Sequence, residues 1–197
     1  TTLKEQDLPK GTGALRLMTT TACFRQEAGA AGRDTRGLLR QHQFDKLELV
    51  HVCGPQAAPD ELLRMLGAVR ALLDTLPLGY RVVELCTGDM GFAGHRAFDI
   101  EVWFPGAQAW REVATLTWCA DFQARRMQTR YTALDGTKTF AHTLNGTGLA
   151  VGRIMAALFE TYFDPIGKKL HLPNALLNQL GMHPLTEALG EGTGRID

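Results

Sequence analysis

The alternation of apolar and polar residues along this chain predicts strands in most places and helices in a few. Strands are expected where β-branched, aromatic and other apolar residues alternate with polar ones over a short run. The predicted strands are residues 15–25, 38–53, 80–86, 98–104, 110–118 and 138–144. Residues 59–76 instead carry leucines at helical spacing, and further helices are predicted at residues 121–128 and 146–163.

The order of these elements indicates how they are arranged. Strands mostly follow one another and helices fall between groups of strands, which predicts an α+β fold with a mainly antiparallel central sheet flanked by helices. A Gly-rich charged loop at residues 28–37 joins the first two strands into a long antiparallel hairpin. We expect an N-terminal loop at residues 1–14, one folded domain at residues 15–173 and a C-terminal tail at residues 174–197.

Composition and charge narrow the range of functions. The chain has 197 residues, 45% of them hydrophobic, which is enough for one domain with a sizeable core. Its formal net charge is zero, so no overall basic field attracts nucleic acid. The cluster of Arg125, Arg126, Arg130 and Lys138 is interpreted as a solvated surface. No apolar run is long enough for a membrane span and no signal peptide opens the chain, so we expect a protein of the cytoplasm or an organellar matrix with no membrane partner.

The four cysteines form no recognisable metal-binding motif. Cys23, Cys53, Cys86 and Cys119 are far apart in sequence, and none makes the CxxC pair that is typical of a zinc ribbon. All four lie in strand-like, apolar surroundings. We therefore expect them to be buried free thiols.

The predicted hairpin carries an unusual face of ordered polar residues. Side chains two apart on a strand share a face, so Arg25 and Glu27 are expected to point together. The residues with this spacing on the returning strand are Arg40, His42, Phe44, Lys46 and Glu48. An ordinary half-buried strand shows one apolar face instead. A face of arginines, acids and an aromatic ring suits an anionic, planar ligand such as a nucleotide, although Arg25 can also be a structural residue paired with Glu27 or Asp34.

Four segments carry a resemblance to a known family. Residues 24–48 read FRQEAGAAGRDTRGLLRQHQFDKLE and resemble motif two of class II aminoacyl-tRNA synthetases, in the form of the bacterial and organellar seryl enzymes. Residues 142–153 read HTLNGTGLAVGR and resemble motif three, while residues 80–89 and 110–131 resemble further segments of the family's sheet. The resemblance spans about residues 15–173. It implies a class II synthetase-like catalytic domain that activates serine with ATP and Mg²⁺.

The resemblance implies a nucleotide site built largely on the hairpin. Arg25 would bridge the amino-acid carboxylate and the α-phosphate, Glu27 would bind the adenine amino group, and Phe44 would stack on the base. Arg40 would reach the outer phosphates, and Arg153 would lie over the adenine and meet the γ-phosphate. Adenylate formation brings two anions together and needs fixed cations. The implied nucleotide-binding residues are Arg25, Gln26, Glu27, Arg40, Gln41, Phe44, Glu112, Val113, Ala114, Thr115 and Arg153.

The resemblance also implies a metal site, a serine site and the catalytic residues. Glu112 would hold Mg²⁺ together with Thr115, which stands where the family usually has serine. The implied serine-binding residues are Arg25, Glu48, Asn145 and Thr147. A site that hydrogen-bonds a substrate hydroxyl rejects the analogue that lacks it. The implied catalytic residues are Arg25, Glu112 and Arg153.

Arg153 is unusual on physical grounds alone. It lies in a run of small and apolar residues at positions 148–157, so we expect its charge to be buried and to need a partner. That partner is either the nucleotide or a structural salt bridge to Glu112 or Glu48.

Departures from the family pattern leave two functions open. Motif one, the Thr-x-Glu loop and the N-terminal tRNA-binding arm are absent from this chain, and Trp118 stands where the family commonly has asparagine. The first function is serine activation by the catalytic portion of a seryl-tRNA synthetase or a shortened relative, with tRNA or another acyl acceptor as partner. The second is a nucleotide-binding or regulatory paralogue. The family forms homodimers through motif one, and we expect this chain alone to charge tRNA poorly or not at all.

Overall fold

Eleven strands and four α-helices make up the part of the chain that the computed structural model describes, which is residues 3–8, 10–11, 13–27 and 37–181. The strands are β1 (Asp7–Leu8), β2 (Leu15–Phe24), β3 (Gln43–Cys53), β4 (Tyr80–Glu84), β5 (Arg96–Phe104), β6 (Ala109–Trp118), β7 (Arg130–Thr132), β8 (Lys138–Phe140), β9 (His142–Ala150), β10 (Phe163–Asp164) and β11 (Lys169–Leu170). The helices are α1 (Ala58–Thr75), α2 (Phe122–Met127), α3 (Val151–Tyr162) and α4 (Asn174–Gln179). None of these helices is long and apolar enough to cross a membrane.

A six-stranded sheet is the centre of the fold, and neighbouring strands in it are all antiparallel. Its spatial order is β2-β3-β9-β6-β5-β4. Helix α1 contacts β9, β6 and β3, and α3 contacts β3, β5 and β9. This arrangement confirms the predicted α+β fold with a mainly antiparallel sheet and flanking helices.

Helix α1 closes the main hydrophobic core, as its apolar spacing predicts. Pro59 occupies the first turn, where its missing N–H is not needed, and Asp60 and Glu61 lie at the positive end of the helix dipole. The largest core side chains, each less than 2% exposed, include Leu62, Met65 and Leu73 of α1 and Ile100, Phe104, Leu116 and Leu144 of the sheet.

The β2–β3 hairpin is present, but its strands are shorter at the loop end than predicted. The register runs without a shift over the whole of β2. However, β3 begins at Gln43 rather than at residue 38, and β2 ends one residue before Arg25. Arg25, Glu27 and Arg40 therefore lie beyond the regular strands, so strand alternation does not set their orientation. Residues 28–36, most of the predicted loop, lie outside the described residues.

The predicted helix at residues 146–163 is wrong over its first five residues. Strand β9 continues through Gly146 to Ala150, and α3 begins only at Val151. Strand β9 lies between β3 and β6, and a side chain at Gly146 would collide with the backbone carbonyl oxygen of Thr115 on β6. Glycine permits this close approach of two strands. The constraint is tertiary, so local spacing does not reveal it.

Other element boundaries also differ from the sequence predictions. The predicted strand at residues 138–144 is two strands separated by the fully buried Ala141, and β8 belongs to a small sheet with β1 and β7. Strand β1 lies within the predicted N-terminal loop and pairs in parallel with β7. Helix α4 lies within the predicted C-terminal tail, of which residues 182–197 are outside the described part.

The four cysteines are free, but they are not all buried. Cys53 and Cys119 are buried and Cys23 is partly buried, whereas Cys86 is exposed. The prediction is wrong for Cys86 because β4 ends at Glu84 and the chain turns into solvent. Burial raises the pKa of Cys53 to about 11, so this thiol stays protonated near neutral pH.

Candidate functional site

An open pocket lies at the loop end of the β2–β3 hairpin. About 530 Å³ of space lies between its walls, a figure that includes solvent at its opening. Residues of β3, β6 and β9 and of the start of α3 contribute to its walls. The lining residues are Arg25, Glu27, Leu38, Leu39, Arg40, Gln41, Phe44, Lys46, Glu112, Val113, Thr147, Ala150, Gly152 and Arg153.

The pocket gathers most of the residues predicted for a nucleotide and leaves some outside. The predicted residues that line it are Arg25, Glu27, Arg40, Gln41, Phe44, Glu112, Val113, Thr147 and Arg153. The predicted residues that are not among its lining residues are Gln26, Glu48, Ala114, Thr115 and Asn145. The side chain of Ala114 is 2% exposed and packs in the hydrophobic core, which excludes a ligand contact through that side chain.

Glu27 holds two arginines at the edge of the pocket. Its φ of 53° lies in the left-handed region, which is uncommon for residues other than glycine. Its carboxylate accepts a hydrogen bond from Arg40 Nε at 2.6 Å and lies 3.7 Å from Arg25 Nη1. The Glu27 side chain is 10% exposed, whereas those of Arg25 and Arg40 are 55% and 40% exposed. The structural alternative for Arg25, a pair with Glu27, is thus present, and both guanidinium groups still border the pocket.

The Arg25 guanidinium also lies over the ring of Phe44, with Cζ 4.8 Å from the ring centroid. This distance is that of a cation–π contact, which holds the cation and the ring side by side. A base that stacks on Phe44 must therefore use the remaining ring surface or displace Arg25.

Arg153 projects from the first turn of α3 toward β6. Its Nη1 donates a hydrogen bond to the backbone carbonyl of Glu112 and lies 3.7 Å from the carboxylate Oε2 of the same residue. The predicted salt bridge to Glu112 is present. The expectation of a buried charge is wrong, because 29% of the Arg153 side chain is exposed at the pocket.

Two oxygen atoms of β6 form the candidate metal site. Thr115 Oγ1 lies 3.0 Å from Glu112 Oε1, and 47% of the Glu112 side chain is exposed. Mg²⁺ prefers oxygen ligands and usually takes one or two carboxylates, with substrate phosphates and water completing its octahedron. Among the described residues, no group of three or more His, Cys, Asp or Glu forms a metal cluster. The donors fit Mg²⁺ held jointly with phosphate oxygens rather than by the protein alone.

The residues predicted for serine lie on adjacent strands. Glu48 of β3 is opposite Thr147 of β9 in the strand register. Lys46 Nζ lies 2.7 Å from Glu48 Oε2, and the Glu48 side chain is 20% exposed. Asn145 Oδ1 accepts a weak hydrogen bond from Cys119 Sγ at 3.6 Å. The Glu48 carboxylate, which is predicted to bind serine, therefore already has an ammonium partner within the protein.

Several lining residues were not predicted from the sequence. They are Leu38, Leu39, Lys46, Ala150 and Gly152. Lys46 belongs to the polar alternation of β3, which is the signal that points to it. Gly152 packs against Gln41, because a Cβ at Gly152 would lie 2.8 Å from Gln41 Oε1. That contact joins residues far apart in sequence and leaves no local signal.

Asp99 of β5 is a further polar residue that the sequence did not single out. Its Oδ1 accepts a hydrogen bond from Thr115 Oγ1 at 2.7 Å. Burial raises the pKa of the Asp99 carboxyl, the hydrogen bond from Thr115 opposes that change, and the nearby Glu112 carboxylate adds to it. Asp99 lies between apolar residues in the alternating pattern of β5, as the polar residues of an ordinary half-exposed strand do. Nothing in the sequence therefore distinguishes it.

Trp118, at the position where the resembled family commonly has asparagine, lies at the end of β6 beside two histidines. Its Nε1 donates a hydrogen bond to His142 Nδ1 at 3.2 Å, and its ring centroid is 4.5 Å from that of His95. Burial lowers the pKa of His142. The single donor of the indole is thus used within the protein.

The basic cluster near α2 is paired at the surface. Arg125 Nη2 lies 2.6 Å from the carboxylate of Asp121, and Lys138 Nζ lies 2.7 Å from that of Asp7. The guanidinium groups of Arg126 and Arg130 lie over aromatic rings, those of Phe122 and Phe140. Each of these cations thus has a partner within the surface.

Comparison with known proteins decides the family. The family model of the class II tRNA synthetase core domain (G, H, P, S and T) matches residues 1–162. The chain belongs to the class II tRNA synthetase core family. It is 52% identical over 180 residues to a serine–tRNA ligase of Methylorubrum extorquens (strain PA1), covering 91% of this chain and 41% of the relative. A serine–tRNA ligase of Xanthobacter autotrophicus is 53% identical over 180 residues, covering 91% of this chain and 37% of the relative.

Solved structures give the same family and the same fold. Seryl-tRNA synthetase from Pyrococcus horikoshii, complexed with ATP, superposes with a TM-score of 0.80 and 35% identity over 86% of this chain and 38% of its own. Cytoplasmic serine–tRNA ligase from Naegleria fowleri, in complex with AMP, gives a TM-score of 0.85 and 31% identity over 92% of this chain and 38% of its own. The resemblance found in the sequence is confirmed, and the chain spans about two fifths of the length of these relatives.

Proposed function

We propose that this chain is the catalytic portion of a seryl-tRNA synthetase, which joins the carboxylate of serine to the α-phosphate of ATP and releases pyrophosphate. The observation that carries the proposal is the pocket, which gathers Arg25, Arg40 and Arg153 around one open volume beside Glu112. The nucleotide complexes of the Pyrococcus horikoshii and Naegleria fowleri enzymes support ATP as its ligand.

The three arginines supply the positive charge that adenylate formation requires. The reaction brings a carboxylate to a triphosphate and moves negative charge onto the departing pyrophosphate. Arg25 would bind the serine carboxylate and the α-phosphate, while Arg40 and Arg153 would bind the outer phosphates. A guanidinium stays protonated and presents a planar fork of donors, which suits phosphate oxygens. The bond from Arg153 to the Glu112 carbonyl fixes this cation before the nucleotide arrives.

The remaining pocket residues would hold the base and the metal. Glu27 would accept a hydrogen bond from the adenine amino group, and Phe44 would stack on the base. Glu112 and Thr115 are the proposed Mg²⁺ ligands, and a bound Mg²⁺ would neutralise phosphate charge in the transition state. Glu112 would thereby have two tasks, because its backbone carbonyl holds Arg153 and its carboxylate would help to hold Mg²⁺.

Serine would be selected at the end of the pocket formed by β3 and β9. Thr147 would bond the substrate hydroxyl, with Asn145 supporting that strand, and Glu48 would bind the substrate ammonium. Because Lys46 Nζ lies 2.7 Å from Glu48 Oε2, the ammonium of serine must share or replace that partner. Alanine lacks the hydroxyl and would leave Thr147 unpaired, so the site would reject it.

The Lys46–Glu48 pair also favours a second candidate function. If Lys46 keeps Glu48 occupied, the pocket binds nucleotide but not serine, and the chain is a nucleotide-binding or regulatory paralogue. In the first function, tRNA or another acyl acceptor takes the activated serine, and a homodimer is the assembly that the family implies.

Two measurements on the 197-residue chain separate these functions. Calorimetry should detect ATP binding in the presence of Mg²⁺, and ATP–pyrophosphate exchange should require serine, with alanine at least about tenfold poorer because one hydroxyl contact is lost. Binding without exchange would support the paralogue. A folded sample that binds no ATP at millimolar concentration contradicts both.

A further inference from the structure

A second carboxylate, that of Asp99, stands directly behind the two proposed Mg²⁺ ligands, the Glu112 carboxylate and the Thr115 hydroxyl. Asp99 pairs with Thr115 in the β5–β6 register, and its Oδ1 accepts the hydrogen bond from Thr115 Oγ1 at 2.7 Å. We infer that Asp99 is a positioning residue for the metal site. The Asp99 carboxylate accepts the hydroxyl proton of Thr115, keeps that proton away from Glu112 and so turns the lone pairs of Thr115 Oγ1 toward the cation. This inference rests on the proposed role of Glu112 and Thr115 as Mg²⁺ ligands.

The argument follows from the single proton of a hydroxyl group. Thr115 Oγ1 has two acceptors in reach, Asp99 Oδ1 at 2.7 Å and Glu112 Oε1 at 3.0 Å, but it can donate to only one of them. A donation to Glu112 would occupy a carboxylate lone pair and point the proton at the place where a cation would lie. A donation to Asp99 leaves both proposed ligand oxygens with lone pairs available.

The negative charge of Asp99 also favours a cation at this site. Asp99 lies among acidic side chains, of which Glu112 is one and Glu101 and Asp89 are others. Like charges at close range repel, and a divalent cation relieves that repulsion. Residues behind metal ligands typically change metal affinity by about 10- to 100-fold when they are replaced. We expect an effect of that size.

The test measures metal binding directly rather than turnover. Mn²⁺ reports the site, because free Mn²⁺ has a sharp electron paramagnetic resonance signal that bound Mn²⁺ loses. The full chain is saturated with a non-hydrolysable ATP analogue and titrated with Mn²⁺. Asp99→Ala, which removes the acceptor of the Thr115 proton, should weaken Mn²⁺ binding in this complex by about tenfold or more. Binding of the same analogue in excess chelator should stay within about threefold of the parent, because no metal takes part there.

A matched control separates positioning from general charge. Glu101→Gln removes one negative charge from the same strand without a bond to Thr115, since the Glu101 carboxylate is paired with Arg81. We expect Mn²⁺ binding to change by less than about threefold in this variant, because screened and paired charges act weakly. An equal loss in Glu101→Gln and Asp99→Ala would overturn the positioning role.

A double-variant cycle tests whether Asp99 acts through Thr115. Thr115→Val keeps the side-chain shape and removes the hydroxyl. In that background Asp99→Ala should have no more than the small effect of a lost charge, below about threefold, because no proton remains to be held. A full additional loss would overturn the inference, as would unchanged Mn²⁺ binding in Asp99→Ala alone. If serine-dependent exchange is absent but the Mn²⁺ cycle behaves as expected, only the proposed serine activation fails.

Discussion

Glu61 and Glu27 are two acidic side chains that each contact several nitrogen donors, at opposite ends of the β2–β3 hairpin. The Glu61 side chain is 6% exposed, and both of its oxygens accept hydrogen bonds from Arg16, at 2.8 and 2.6 Å. His51 Nδ1 lies 2.9 Å from the same carboxylate. The Glu27 side chain is nearly as buried, at 10%, but it has one short bond to Arg40 and a longer contact to Arg25.

The two sites differ in where the donors that contact each carboxylate lie. Arg16 and His51 are register partners on β2 and β3, and Glu61 reaches them from α1, so this cluster joins three packed elements. Arg25 and Arg40 instead line an open pocket and belong to no regular strand. A carboxylate enclosed by its partners stabilises the fold, whereas a carboxylate at a pocket edge holds cations ready for an anion. We call Arg16, His51 and Glu61 the closed cluster, and Glu27 with the pocket residues Arg25, Arg40, Phe44 and Arg153 the open cluster. The comparison predicts that the closed cluster determines stability and the open cluster determines activity.

The largest effect is expected at the closed cluster. Glu61→Ala leaves Arg16 and His51 without the carboxylate that they contact beneath α1. Breaking a buried ion pair commonly costs about 3–5 kcal/mol, and the lower end of that range applies because 48% of the Arg16 side chain is exposed. We expect the free energy of unfolding in urea to fall by that amount. Glu84→Ala is the control, because its exposed pair with Arg96 should leave the urea midpoint unchanged. Similar urea midpoints for the Glu61→Ala variant and the parent would contradict the structural role.

The next effect belongs to the open cluster and concerns the reaction rate. Arg25→Ala and Arg153→Ala should each lower serine-dependent pyrophosphate exchange by about 10²–10³, because each removes a fixed charge donor at the phosphates. The urea midpoints should stay close to that of the parent. Arg96→Ala, remote from the pocket on β5, is the matched arginine control and should keep full exchange. Exchange near the parental level in either pocket variant would show that its assigned role is wrong.

Most of the open cluster could be predicted from the sequence because its hairpin residues lie within one continuous segment. Arg25, Glu27, Arg40 and Phe44 stand in a single run that resembles motif two, and the pocket brings them together. The reason given for their common orientation was wrong, since the strands end before Arg25 and begin after Arg40. The left-handed turn at Glu27 and its ion pairs bring the arginines together instead.

The closed cluster could not be predicted from the sequence, because its residues come into contact only in the folded protein. Arg16 and Glu61 are 45 residues apart, and the position of Glu61 in the first turn of α1 is explained by the helix dipole alone. The same limit applies to Gly146, which was predicted to begin a helix but lies in β9, where it closely approaches β6. Local alternation predicted the sheet, the hairpin and α1, whereas contacts between distant segments decided the exceptions.

The smallest effect is the pH dependence of the closed cluster. Burial is the main cause that lowers the pKa of His51, and the hydrogen bonds from Arg16 are the main cause that lowers the pKa of Glu61. Both groups therefore take up a proton at higher pH in the unfolded chain than in the folded protein. Their stabilisation is complete above the unfolded values, about 6.5 for histidine and about 4.3 for glutamate, and is lost as the pH falls.

Just below pH ~6.5 the histidine contribution acts alone, with a slope of at most about 1.4 kcal/mol per pH unit for one proton. We expect His51→Gln to flatten the loss of unfolding free energy between about pH 6.5 and 5. Burial also lowers the pKa of His142, so the slope should become still smaller when His142→Gln is added. Urea unfolding of the parent, both single variants and the double variant across this range is the measurement. A His51→Gln variant that follows the parental pH dependence would mean that His51 takes up its proton equally well in the folded and the unfolded protein, and the Glu61 carboxylate would then offset the whole effect of burial on the pKa of His51.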